Sequence, residues 1–220
     1  MTNDTQNPPI ASALIDGLVA DLNPVRPMRF ANGMLLTGAA ALLTIFVSAR
    51  TLGLRSDLFS GYLNPVYVMS LGLTLLLAIA ASVAVIQMSR PHVGNSPSGW
   101  GWAAAMAAVL PIGTLVTSAQ FYANTGTAGV DGEGGHCLYT GVLLGTMSAA
   151  ALTLWLRRGA PTSPTRAGWL TGLAGGSIGI FALALYCPYD DIGHIGFWHG
   201  LSVVGSALLG RLIVPPLIRW

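Results

Sequence analysis

The chain has 220 residues, of which 53% are hydrophobic and only 8% are charged, and its formal net charge is +2. A soluble globular domain usually carries about 25% charged residues, so this composition excludes an ordinary water-facing surface and favours a membrane protein. The small net charge gives no reason to expect direct binding to nucleic acid.

The N-terminal part of the chain, residues 1–29, is predicted to be a cytoplasmic segment ahead of a transmembrane domain over residues 30–220. After Pro9, apolar residues recur with the i, i+3, i+4, i+7 spacing of an amphipathic helix. The helix should end near Asn23-Pro24, because proline disfavours helical geometry in the residue before it. The apolar stripe consists of Ala11, Leu14, Ile15, Leu18, Val19 and Leu22.

Three roles are open to this helix: it could lie on lipid, pack on the inner face of the bundle, or dock on a soluble partner. Helices that lie on lipid are usually rich in Lys and Arg, whereas this one carries Asp16 and Asp21. Docking on a cytoplasmic protein is therefore favoured. The candidate partner-binding residues are Leu14, Ile15, Leu18, Leu22, Arg26, Arg29, Arg157 and Arg158.

Six stretches are apolar enough to cross a bilayer, which takes about 20 residues each. They predict an all-α, polytopic six-helix transmembrane bundle, since the alternation typical of transmembrane strands is absent. The stretches are Phe30 to Ala49, Pro65 to Gln87, Trp100 to Tyr122, Cys137 to Leu156, Gly168 to Tyr186 and Ile195 to Ile213.

The arginines predict the orientation of this bundle, because positive residues near short loops stay on the cytoplasmic side. With both termini cytoplasmic, only Arg50 and Arg55 fall outside. The inner set is Arg26, Arg29, Arg90, Arg157, Arg158, Arg166, Arg211 and Arg219.

Glycines four residues apart, which let helix backbones approach closely, recur in the later stretches. We interpret them as packing within one bundle, with a homodimer as the less favoured alternative. The pairs are Gly141 and Gly145, Gly172 and Gly176, Gly175 and Gly179, and Gly196 and Gly200.

The chain has two cysteines, Cys137 and Cys187, at the outer ends of the fourth and fifth stretches. A disulfide, a switching thiol pair and a metal site all remain open, because the bacterial periplasm is oxidising and thiolates bind soft metals. His136 could also activate Cys137 by lowering its pKa.

Metal binding at these cysteines would need further donors. His194 and His199 are five residues apart, which does not align them on one face of an α-helix. The candidate ligands are Cys137, Cys187, His136, Asp190 and His194, with Asp191 and His199 as further donors nearby.

Several short motifs, in this order and spacing, resemble the NrsF-like family of bacterial integral-membrane anti-sigma factors. They are Leu14-Ile15-Asp16 to Leu22, Pro24-Val25-Arg26-Pro27, Cys137 opening the fourth stretch, Leu156-Arg157-Arg158-Gly159-Ala160-Pro161, Cys187-Pro188, and Leu217-Ile218-Arg219-Trp220.

The resemblance implies a non-enzymatic, multi-pass protein of the inner membrane that needs no cofactor. Such a protein would sequester an extracytoplasmic-function sigma factor and release it on an oxidant or heavy-metal signal. The family's paired cysteines map onto Cys137 and Cys187, which makes them the redox-sensing residues, and its cytoplasmic region maps onto residues 1–29.

Two other classes compete with this interpretation. A membrane thiol-disulfide oxidoreductase commonly passes electrons between two thiol pairs, and this chain has a single separated pair. A small-solute transporter would need polar groups within its spans. Arg211 is the only charge well inside a predicted span, and it lies near enough to the cytoplasmic end to reach the interface.

Overall fold

The computed structural model describes residues 9–22, 28–90 and 134–219, together with scattered positions between 101 and 124. Within these residues all regular structure is helical and no strand is present, which confirms the all-α prediction. The helices are α1 Pro9–Ala20, α2 Phe30–Thr51, α3 Pro65–Met88, α4 Gly135–Leu156, α5 Pro164–Ala184 and α6 Ile192–Ile218.

Five of these helices, α2 to α6, are long and apolar enough to cross a membrane. The predicted six-helix bundle is therefore observed as five helices within the described residues. The third predicted stretch, Trp100 to Tyr122, falls largely outside them, although the positions described between 101 and 124 are helical.

Local sequence explains several helix boundaries. Prolines occupy the first turns of α3 and α5, where the missing N–H removes no hydrogen bond. The side chain of Asn64 accepts a hydrogen bond from the Val66 N–H at 2.9 Å and so caps α3. Helix α1 begins at Pro9 as predicted but ends at Ala20, slightly before the predicted end near Asn23-Pro24.

Helix α5 lies at the centre of the bundle and is buried on all sides, packed against α3, α4 and α6. Its glycines allow this crowding. A Cβ on Gly145 of α4 would come within 2.6 Å of the Gly175 carbonyl oxygen, and a Cβ on Gly168 within 2.6 Å of the Gly210 carbonyl oxygen of α6. The prediction that glycine pairs serve packing within one bundle is confirmed for α4 and α5.

Helix α2 shows an inverted pattern, with its small and polar residues turned inward. Gly33, Thr37, Thr44 and Ser48 are buried, while Leu42 is 69% exposed. The Thr44 hydroxyl donates to the Ala40 carbonyl within α2, and Ser48 donates to the Ala182 carbonyl of α5 at 3.1 Å. Polar groups inward and large apolar groups outward are typical of helices that face lipid.

The loops join the helices at two opposite ends. At one end the Arg90 guanidinium donates to the Met28 carbonyl at 3.2 Å, and Ala160 N–H donates to the Ser89 carbonyl at 2.9 Å. At the other end Arg55 N–H donates to the Leu185 carbonyl at 3.0 Å. We call these the inner end and the outer end, following the orientation predicted from the arginines.

Arg211 lies on the surface of α6 towards the inner end. Its guanidinium stands 5.6 Å from the centre of the Trp169 ring. This contact offers the cation an aromatic face as well as a route to the interface. The arginine therefore gives no support to a polar path through the bundle.

Candidate functional site

The two cysteines meet at the outer end. Cys137 lies in the first turn of α4 and Cys187 follows the end of α5, and their sulphur atoms are 3.8 Å apart. Both side chains are buried, and they are thiols rather than a disulfide. The sequence placed both at one end of the bundle, and the structure brings them into contact, although it buries them instead of presenting them on the surface.

Two histidines of α6 complete the cluster. The Cys187 sulphur lies 3.6 Å from Nε2 of His194, and the His194 and His199 ring centres are 5.5 Å apart. One ligand atom from each of Cys137, Cys187, His194 and His199 lies within 4.8 Å of all the others. All four side chains are buried. We call these four residues the outer cluster.

The expectation that His194 and His199 could not share a face is wrong. Residues Ile195–His199 form a π-helical turn at the start of α6. An α-helix turns by about 100° per residue and would separate the two side chains, whereas a π-turn pairs residues i and i+5. Because hydrophobic periodicity does not reveal a single π-turn, sequence reasoning missed this alignment.

Neighbouring side chains fix the position of His194. The Asp191 carboxylate accepts a hydrogen bond from the His194 N–H at 2.8 Å and caps α6. The Tyr189 ring stacks on the His194 imidazole with centres 4.5 Å apart. The turn between Cys187 and α6 therefore sets the orientation of this histidine before any ligand is considered.

The cluster changes the acidity of its central thiol. The pKa of Cys187 is lowered, chiefly because the Cys137 thiol donates a hydrogen bond to it, with His194 and His199 adding to the effect and burial opposing it. A lowered pKa favours the thiolate, which is the reactive and metal-binding form. The Cys137–Cys187 pair can therefore supply a thiolate.

Arg55 holds the outer end together, a role the sequence did not suggest. Its guanidinium donates to Asp190 at 2.7 Å and to the Cys187 carbonyl at 3.1 Å, and it lies 4.3 Å from the centre of the Tyr67 ring. It also pairs with Asp57. The side chain is almost fully buried, so its charge needs these partners.

These ion pairs shift the ionisation of both partners. The pKa of Arg55 is raised, chiefly by its hydrogen bonds to Asp57 and then to Asp190. The pKa of Asp57 is lowered, chiefly by its hydrogen bond from Arg55. Arg55 and Asp57 are therefore charged near neutral pH, and the ion pairs of Arg55 tie the loop between α2 and α3 to the loop that carries Cys187.

Two of the predicted metal ligands lie outside the outer cluster. His136 turns away and contacts the Tyr139 hydroxyl through Nδ1 and the Thr140 hydroxyl through Nε2. Asp190 is bound to Arg55. The remaining candidates, Cys137, Cys187 and His194, are brought together with His199.

The predicted partner-binding residues occupy exposed positions. Leu14 is 63% exposed and Leu22 is 73% exposed, and Ile15 and Leu18 are similarly exposed. Arg29 immediately precedes α2, and Arg157 and Arg158 follow α4 at the inner end, all with exposed side chains. Arg26 lies outside the described residues.

Comparisons with known proteins agree on one family. A family model described as NrsF, negative regulator of sigma F, matches residues 18–220. The anti-sigma-F factor NrsF of Caulobacter vibrioides is 32% identical over 215 residues, covering 94% of this chain and 98% of that protein.

A second relative, the probable anti-sigma-F factor NrsF of Azospira oryzae, is 27% identical and covers 83% of this chain and 85% of its own length. No solved structure matches the chain at a significant level. The relatives are named as regulators rather than enzymes. The residues that the family model matches include both cysteines and both histidines of the outer cluster.

Proposed function

The chain belongs to the NrsF family, the negative regulators of sigma F, and we propose that it is an inner-membrane anti-sigma factor. It would hold an extracytoplasmic-function sigma factor at the inner end and release it when Cys137 and Cys187 react at the outer end. The observation that carries the proposal is the family match over residues 18–220.

The membrane part of the proposal is supported by the five long apolar helices and by the inverted pattern of α2. We propose that residues 100–122 add a sixth span and that both termini are cytoplasmic, since eight of the ten arginines then lie inside. Residues 30–220 would form the transmembrane domain and residues 1–29 the cytoplasmic segment.

The capture part is supported by the exposed apolar stripe of α1. Apolar side chains such as Leu14, Ile15 and Leu18 gain roughly 1.5 to 3 kcal/mol each when a partner buries them fully. Ordering a coupled-folding segment costs about 2 to 5 kcal/mol, so other contacts must contribute. Arg29, with Arg26, Arg157 and Arg158, would supply those contacts by pairing with acids on the sigma factor.

The sensing part is supported by the burial and contact of the two thiols. A peroxide would accept two electrons and two protons from the thiols of Cys137 and Cys187, leave as water and an alcohol or as two waters, and create one S–S bond. A disulfide holds its two sulphurs at bonding distance. Oxidation would therefore draw the outer end of α4 towards the loop after α5, and a heavy-metal ion that bridges both thiolates would act on the same pair.

Co-purification tests capture and release together. The tagged chain, extracted in detergent from reduced cells, is expected to bring down a sigma factor identified by mass spectrometry, and peroxide treatment is expected to release it. Cys137→Ser and Cys187→Ser should each abolish the response to peroxide while insertion is retained. A double variant that still releases the sigma factor normally would remove the cysteine pair from the proposal.

Topology is tested with new cysteines, because the natural thiols are buried and react poorly with bulky reagents. In a chain lacking both natural cysteines, Tyr62→Cys, at a side chain that is 90% exposed, should react with an impermeant maleimide in intact spheroplasts. Arg158→Cys should react only after permeabilisation. The reverse labelling pattern would contradict the proposed orientation.

A further inference from the structure

We propose that the outer cluster is a closed Zn²⁺ site with four protein ligands, Cys137, Cys187, His194 and His199. The metal would be the resting occupant of the proposed sensor, so its regulatory meaning rests on the proposed function. Its binding, by contrast, is measurable on the purified chain without any partner.

The spacing of the donor atoms fits tetrahedral zinc. With Zn–S near 2.3 Å and Zn–N near 2.0 to 2.1 Å, a tetrahedron places two sulphurs about 3.8 Å apart and a sulphur and a nitrogen about 3.6 Å apart. The two cysteine sulphurs are 3.8 Å apart, and the Cys187 sulphur is 3.6 Å from the His194 Nε2. The other donor pairs lie within 4.8 Å, so tetrahedral spacing would require them to approach by at most about 1.4 Å.

His199 provides an independent indication of a ligand. Its side chain is 4% exposed, and among the residues that the structure describes its Nε2 has no hydrogen-bond partner. A buried polar atom without a partner costs free energy, and such atoms in folded proteins call for a specific explanation. Coordination, directly or after a turn of the ring, would supply the missing interaction.

The donor types select a borderline or soft cation. Two thiolates and two imidazoles suit zinc, whereas magnesium and calcium require oxygen ligands. The two carboxylates that stand nearest in the sequence are already engaged, Asp190 with Arg55 and Asp191 with the His194 N–H. No carboxylate within the described residues therefore joins the cluster.

The site is closed rather than catalytic. Four protein donors fill a tetrahedral zinc, which leaves no position for water or a substrate, as in structural zinc sites. The donors come from α4, from the loop after α5 and from α6. A bound zinc would thus pin three outer ends together, and the π-turn at Ile195–His199 is the feature that presents both histidines to it.

Oxidation would then act by expelling the metal. The two zinc-bound thiolates would each give up one electron and form an S–S bond, a peroxide would take the two electrons and two protons from solvent to become two waters or water and an alcohol, and Zn²⁺ would leave. Two neutral histidines alone would hold the ion weakly. Oxidation would therefore have two structural effects. It would remove the zinc that links the outer ends of α4, α5 and α6, and it would form a disulfide between Cys137 and Cys187.

Metal analysis of the full-length chain tests the site. Protein purified in detergent under reducing conditions is expected to contain about one zinc per chain. Replacement by Co²⁺ should give the intense visible absorption and the thiolate charge-transfer bands of a tetrahedral site. Peroxide should release the metal in step with loss of the two thiols. A wild-type chain that carries no stoichiometric zinc, and does not take it up on addition, would overturn the proposal.

Variants separate ligation from folding. His194→Ala and His199→Ala should each lower zinc affinity at least tenfold, while His136→Ala, the matched outer histidine, should retain the metal. His199→Cys should restore binding as a Cys₃His site. Retention of full affinity in His199→Ala, or loss in His136→Ala alone, would contradict the assignment, and gel filtration shows whether each variant is folded.

The same preparations distinguish the two proposals. A chain that captures the sigma factor but binds no zinc would refute the metal site and leave the anti-sigma function intact. A chain that binds one zinc through these four residues but captures no sigma factor would refute the proposed function alone.

Discussion

Helices α5 and α1 are both rich in apolar residues, yet the chain treats them in opposite ways. Between Ala167 and Ala184 nearly every side chain of α5 is buried against other helices. The apolar stripe of α1 is exposed along its whole described length, with Leu18 at 62%. One helix has all its contacts within the chain, and the other presents its apolar face outward.

The contrast separates a region whose apolar side chains are already buried within the chain from a region whose apolar side chains are exposed. An apolar stripe exposed to water is costly and usually marks an interaction site. The outer cluster resembles α5 in this respect, because its four side chains are buried and lie close to one another. The molecule therefore combines a buried outer cluster with an N-terminal helix whose apolar stripe is exposed, as the proposed sensor with a partner-docking helix would require.

The largest effect is expected from a bulky side chain placed in the close packing of α5. A Cβ on Gly179 would overlap the backbone carbonyl oxygen of Gly141 in α4, whereas Gly205 of α6 has nothing within 4 Å among the described residues. Gly179→Leu should cost more than about 3 kcal/mol of stability, since overpacking against backbone cannot be relieved by side-chain rotation. Gly205→Leu is the matched control.

Thermal unfolding in detergent, followed by circular dichroism, measures this difference. We expect Gly179→Leu to be poorly folded or to unfold at a much lower temperature, and Gly205→Leu to resemble the natural chain. Equal stabilities would mean that α4 and α5 do not pack as closely as described.

The next largest effect is expected from a charge placed on the exposed apolar face of α1. Leu18→Glu should weaken sigma-factor capture by about 1 to 3 kcal/mol, because the partner would bury a carboxylate in place of an apolar side chain. Ala13→Glu places the same charge on the opposite face of the helix and should bind normally. The stability of the bundle should not change in either variant.

A pull-down with titrated sigma factor gives both affinities. Unchanged capture by correctly inserted Leu18→Glu would show that α1 is not the docking element. Equal losses in both variants would indicate a general effect of charge on the segment rather than a specific interface.

The smallest expected effect concerns Arg55, and it tests whether this residue stabilises the packed outer end. Arg55→Gln removes the ion pairs to Asp57 and Asp190, both of which retain access to water, so a loss of about 1 to 2 kcal/mol is expected. Arg50→Gln, at the neighbouring exposed arginine, should have no measurable effect.

Thermal unfolding and the rate of Cys187 alkylation check this prediction. Loosening of the loop after α5 should increase thiol reactivity in Arg55→Gln and leave it unchanged in Arg50→Gln. If the two variants behave alike, the buried arginine does not hold the Cys187 loop in place.

Composition and local signals predicted much of this fold. Apolar length predicted the spans, Pro65 marked one helix start, and the spacing of glycines in α4 and α5 predicted close packing, whereas α5 begins at Pro164 and not at the predicted Gly168. These are local properties of the chain, so they can be read without knowing which segments meet.

The site was predicted only in part, for the opposite reason. Both cysteines and His194 could be named, but the alignment of His199 depends on one π-turn. The role of Arg55 depends on a loop more than 130 residues away in sequence, at Asp190. From the sequence, Arg55 was only an exception to the rule that arginines lie on the cytoplasmic side. In the structure it is the residue that binds the loop carrying Cys187.

The π-turn also determines which face of α6 meets α5. A π-turn contains one residue more than the α-turn it replaces, so every later residue of the helix is rotated by about 100° from where an unbroken α-helix would put it. The face that meets α5, where Ser206 lies over Gly172 and Gly210 over Gly168, depends on that rotation. Deleting one residue between His194 and His199 would leave the histidines four residues apart, still on one face of an α-helix, but it would rotate the α5-facing seam by about 100° relative to them. The histidines could then not reach the two cysteines while the seam kept its packing on α5, so this turn does not tolerate a change in length.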